Sequence, residues 1–137
     1  MIGGYNMFLD VLNKEDKANF LEFVNLIAKC DGEFAEEEKE ILNNYMVETG
    51  INEIPDNNKN IEDIVEYFSK RDEAVRKIIL FEAYGLVLAD NKITDEEKEI
   101  IMELDKMSGL NKEKLNEVKE VVIRLQKVYD DIYNLIF

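Results

Sequence analysis

The chain has 137 residues, 46% of them apolar and 35% charged, with 31 Asp and Glu against 17 Lys and Arg and a net charge of −14. That length suits one domain with a sizeable core, and the acidic excess repels nucleic acid and anionic membranes while favouring cations or basic partners. No histidine and a single cysteine exclude the usual zinc ligand sets, a Ser-His-Asp or Cys-His relay and an internal disulfide.

The opening MIGGYNMFLD carries no Lys or Arg ahead of an apolar stretch, so no signal peptide is expected. The longest apolar stretch, 78–89, is interrupted by Glu82 and falls short of the ~20 residues a membrane helix needs. An isolated Cys30 agrees with a reducing compartment, and a cytoplasmic location is expected.

Periodicity is helical almost throughout, without alternating runs bounded by hairpin turns, so the expected class is all-α. Met7, Phe8, Val11 and Leu12 suggest a short first helix. A second, at 16–30, presents Phe20, Leu21, Val24 and Ile27 on one face and a narrow polar stripe of Glu22, Asn25 and Lys29. The third, 36–49, is closed by Gly50, and the connection 50–59 holds the only proline. Ile61, Ile64, Val65 and Phe68 mark a fourth, followed by helices at 72–89 and 95–108 and a seventh from Lys112. In this last helix Leu115, Val118, Val122, Leu125, Tyr129, Ile132 and Ile136 form a heptad seam. A second row, Val121, Val128 and Leu135, broadens the seam, which favours a core helix among several neighbours over the alternative of a homodimer seam.

Residues 20–52 align without gaps on 79–111, with identity at Leu21/Leu80, Asp31/Asp90, the EEKEI block at 37–41 and 96–100, Gly50/Gly109 and Asn52/Asn111. The expected architecture is therefore a single domain, 1–137, of about seven helices with an internal pseudo-twofold repeat of helical hairpins. The acidic spacing invites comparison with a calcium-binding EF-hand loop. In that register, however, the first ligand positions fall on Ile27 and Lys29 and on Leu86 and Leu88, whose side chains cannot coordinate calcium.

The segments LIAKCDGEFAEEEKEIL and LVLADNKITDEEKEII resemble the TerB-like domain of tellurite-resistance proteins, also found fused to J-domain co-chaperones. That family's hallmark is an apolar helix ending in A-x-x-D-G-x-[IVF], with a Glu four residues past the apolar position, occurring twice. The first copy fits closely, whereas the second carries Asn91-Lys92 in place of Gly-Glu. The resemblance covers most of the chain and implies a seven-helix bundle whose acidic surface binds divalent cations, in stress or tellurite resistance.

The candidate ligands are Asp31, Glu33, Glu38, Glu82, Asp90 and Glu97. With only oxygen ligands on offer, calcium or magnesium is favoured, and neither zinc nor an organic cofactor is expected. Each candidate has a structural alternative. Asp31 and Asp90 suit Asx turns, and Glu97 follows Thr94 by three residues, as in a capping box. Glu82, inside IILFEAYGLVLA, has three options: an ion pair with Arg76, Lys77 or Arg124, a metal, or a raised pKa and a catalytic role. Cys30 continues an apolar face and reads as core. With no tryptophan platform and no histidine, a non-enzymatic role is expected: a divalent-cation-binding TerB-like domain. The alternative is a metal-independent acidic module that binds an unknown protein partner or forms a homodimer scaffold.

Overall fold

The computed structural model describes residues 8–30, 36–52, 59–88 and 94–137, with the side chains of 28–30 and 36–41 outside the description. Six α-helices run in order: α1 (Lys14–Cys30), α2 (Glu36–Thr49), α3 (Ile61–Ser69), α4 (Glu73–Val87), α5 (Asp95–Ser108) and α6 (Lys112–Ile136). No strand occurs among the described residues, so the chain is all-α. None of these helices is long and apolar enough to cross a membrane. Where the sequence suggests a helix at Met7 to Leu12, residues 8–11 form one 3₁₀ turn. Asn13 stops it from lengthening, because its side chain accepts from the Asp16 N–H at 2.8 Å and its own N–H donates to the Asp16 carboxylate at 3.2 Å. This capping box starts α1 at once.

Local chemistry sets the other boundaries. Asn60, Asp72, Thr94 and Asn111 cap the N-termini of α3 to α6 with side-chain oxygens. Helices α2 and α5 end at Gly50 and Gly109, with φ of 72° and 71°, a left-handed conformation that any Cβ would strain. Just before each glycine a hydroxyl satisfies an orphan carbonyl: Thr49 donates to Tyr45 O at 2.8 Å and Ser108 to Asp105 O at 2.7 Å.

Helix α1 packs against α2, α3, α4 and α5, α5 lies on both α3 and α4, and α6 runs along α4. The core joins Phe20, Leu21 and Phe23 of α1 to Tyr45 of α2, Ile64 and Phe68 of α3, Leu80 and Tyr84 of α4, and Leu104 of α5. Phe20 stacks against Phe23 and meets Tyr45 edge-on at 5.2 Å.

Helix α6 departs from the expected core helix. It has 25 residues against 15 in α4, so at 1.5 Å per residue about 15 Å of it has no α4 alongside. Among its residues only Val122 is buried. Its anchor is polar: Asp105 of α5 accepts from the Tyr84 hydroxyl of α4 and from Lys119 of α6, whose ammonium also lies 5.3 Å from the centre of the Tyr84 ring.

Of the polar stripe expected on α1, Glu22 is interior and Asn25 half-buried. Glu22 and Asn19 are buried, and Lys59 meets both, at 3.4 Å and 3.0 Å. One turn earlier, Asp16 has no exposed surface. It accepts from the Tyr67 hydroxyl at 2.7 Å and from Arg71 Nε and Nη2 at 2.8 and 3.0 Å. Burial by itself would raise this carboxyl, but the bonds from Arg71, Tyr67 and Asn13 outweigh it and hold the pKa below 3.8. A depressed pKa stabilises the fold above the ordinary carboxylate value, and that contribution disappears as pH falls through the lower folded value. Removing the guanidinium would leave the carboxylate half-paired in the interior. Arg71→Ala should therefore lower unfolding free energy in urea at neutral pH by about 2 kcal/mol, discounted for the partial exposure of Arg71. It should also shift the onset of acid unfolding to higher pH. A change within the error of the measurement would show that Asp16 is satisfied without it.

Candidate functional site

Glu82 projects from α4 into the core with no exposed surface, and neither carboxyl oxygen makes a hydrogen bond of good geometry. Sequence places it there in the middle of an amphipathic helix whose neighbours Ile79, Leu80, Ala83 and Tyr84 are all buried. None of the three cations expected to pair with it does so: Lys77 bridges to Glu73 at 2.9 Å, and no ion pair joins Glu82 to Arg76 or Arg124 among the described residues. The polar groups acting on Glu82 come from α2 instead. Burial, reinforced by the Glu48 carboxylate, pushes the Glu82 carboxyl up from 4.5 to about 8, against a smaller opposing effect of the Tyr45 hydroxyl. At neutral pH the group therefore holds a proton.

Glu97 is buried for a different reason. Its carboxylate accepts from the Thr94 N–H at 3.2 Å while Thr94 Oγ1 accepts from the Glu97 N–H at 3.1 Å, completing the expected capping box. Asp31, Glu33 and Asp90 lie outside the described residues, as do the side chains of Glu38 and Cys30. Glu38 belongs to the first turns of α2, two turns before Tyr45. Among the described residues, no group of three or more His, Cys, Asp or Glu side chains is arranged to hold a metal ion. What the structure does bring together is a proton-bearing carboxyl on α4 and the Tyr45 and Glu48 side of α2. Such an arrangement can exchange a proton for another cation, or keep a neutral acid in the core.

Sequence reasoning singled out Glu82 by its isolation but missed Asp16, Arg71, Lys59 and Asp105. The Asn13-x-x-Asp16 spacing is a capping-box signal that was open to recognition. The partners on other helices carry no such local mark. Comparison with protein-family models, curated proteins and solved structures finds no match.

A carboxyl whose folded pKa is raised binds its proton more tightly in the folded state, so stability falls as pH climbs from about 4.5 to about 8 and then levels off. Glu82→Gln removes the titration while keeping the shape. Its melting temperature should match that of the parent near pH 5 and exceed it at pH 9 by an amount corresponding to a few kcal/mol. A constant difference across that range would mean that Glu82 does not titrate there.

Proposed function

We propose that this chain is a non-enzymatic, TerB-like helical domain that binds calcium or magnesium through acidic residues near the loops following α1 and α4, in the cytoplasm, as part of a stress or tellurite response. The observation that carries the proposal is Glu82. A fully enclosed carboxyl with no hydrogen bond of good geometry is costly to retain for packing alone, because an apolar residue would fill the site at lower cost. Turned toward Tyr45 and Glu48 of α2, it would offer an oxygen ligand to a cation held by acidic residues of that helix. Asp31, Glu33 and Glu38 would supply the other oxygens. Asp90 and Glu97 would form a second, weaker set, because Lys92 stands beside them and Glu97 is already engaged as a cap.

Matching positions in the two aligned segments support an internal repeat as part of the same proposal. Leu21 and Leu80 are both fully buried, Tyr45 and Leu104 both lie in the core, and Gly50 and Gly109 share one left-handed conformation. The seventh element of the pattern would be the turn at 8–11, which sends Leu9 and Leu12 into the core.

A second role, as an interaction module independent of metal, is favoured by the solvent-facing apolar residues of α6.

Millimolar calcium or magnesium should raise the melting temperature; at a hundredfold excess over Kd the gain is about 2.7 kcal/mol. Asp31→Asn, Glu38→Gln and Glu82→Gln should each diminish that shift while leaving the helical circular dichroism of the metal-free protein intact. Calorimetry without heat or thermal shift for either ion would overturn cation binding and leave the interaction role.

A further inference from the structure

Helix α6 carries two unlike apolar regions. Near its start, Val118 and Val121 join Ile78 and Phe81 of α4, Leu110 and Phe8 around a groove of about 390 Å³, with Lys77, Lys114 and Glu117 at its rim. Toward its end, Val128, Ile132, Leu135 and Ile136 face solvent, Leu135 with 86% of its surface exposed. Roughly 27 Å of helix separates Val118 from Ile136. Knobs and hole on one element, at opposite ends of it, are the requirements of a self-complementary twofold contact.

We infer that two copies of this chain pair through antiparallel α6 helices about a twofold axis near Val128, the end of each helix filling the groove beside the start of the other. The second apolar row, Val121, Val128 and Leu135, fixes the register, because Val122 of the heptad seam is already enclosed by the chain's own core. Setting Val128 against its own copy places the partner's Leu135 over Val121 at the groove.

Charge selects the orientation. Arg124 and Asp131 border the apolar stripe on one side, while Gln126 and Tyr133 border its exposed half on the other. Antiparallel pairing brings Arg124 against the partner's Asp131 twice, whereas a parallel pair would turn the Arg124 and Asp131 border toward the partner's Gln126 and the partner's Tyr133 and form neither ion pair. The border therefore stays free of like charges in a molecule of net charge −14. Val121, Val128, Ile132, Leu135 and Ile136 are all exposed along α6, a run of apolar side chains of the kind that marks an interaction site. This inference gives the interaction role a partner, and it does not depend on cation binding.

Light scattering coupled to size exclusion, run on the full chain with and without calcium from micromolar to near-millimolar concentration, tests it. A mass twice the 16.0 kDa of one chain is expected. Leu135→Glu combined with Ile136→Glu should give a monomer with unchanged far-ultraviolet circular dichroism, since both side chains are exposed. Arg124→Asp and Asp131→Arg should each weaken the dimer about tenfold, and the two together should restore it, a pattern that a parallel pair cannot give. A 16.0 kDa species at every concentration overturns the inference, its groove then being left to a foreign chain. A dimer indifferent to these substitutions overturns it equally.

Discussion

The bundle depends on how it encloses acids in a chain that has 31 of them and only 17 cations. Asp16 is the central case. Its carboxylate closes the capping box of α1 and accepts from Tyr67 and Arg71 at the end of α3, so one buried group fixes the start of one helix and its contact with another. Lys59 repeats the arrangement one turn later with Asn19 and Glu22. Together these bonds hold α1 against α3 and its approach segment, and α1 is the helix on which α2, α4 and α5 also pack. Breaking such a set costs more than the set contributes over an apolar core, because the penalty falls on the partner left unpaired. The network therefore acts chiefly to specify one arrangement.

Glu82 stands apart from that scheme and gives it meaning. Asp16 and Glu82 are both enclosed, yet their carboxyls are driven in opposite directions, one held ionised by Arg71 and Tyr67, the other kept protonated by burial and Glu48. Acid therefore weakens the contact of α1 with α3, and alkali weakens the packing of α4. A group tolerated at that cost in a core otherwise filled by Phe20, Leu80 and Leu104 suggests selection for something other than stability.

At the far side of the molecule Asp105 plays the organising part, joining Tyr84 and Lys119 so that α6 is pinned across α4 and α5. Beyond that anchor the helix outruns the element beneath it. An exposed apolar stripe on α6 results.

The amino-acid pattern alone decided the helical class, the boundaries of the six α-helices to within a few residues, and the stops at Gly50 and Gly109. Each of these follows from contacts within a turn or two of chain. It also decided that Thr94 and Glu97 form a cap, and that Glu82 is out of place among apolar neighbours. Only the tertiary structure decided that Asp16 meets Arg71, 55 positions away, that Glu22 turns inward toward Lys59, and that Glu82 faces α2 rather than Arg76 or Lys77. Long-range pairing of charges leaves no periodic trace, since any of several cations satisfies the same local sequence. The seam of α6 shows the same limit: its spacing required an apolar partner, but the relative lengths of α4 and α6 determined how much of that seam the chain itself could cover.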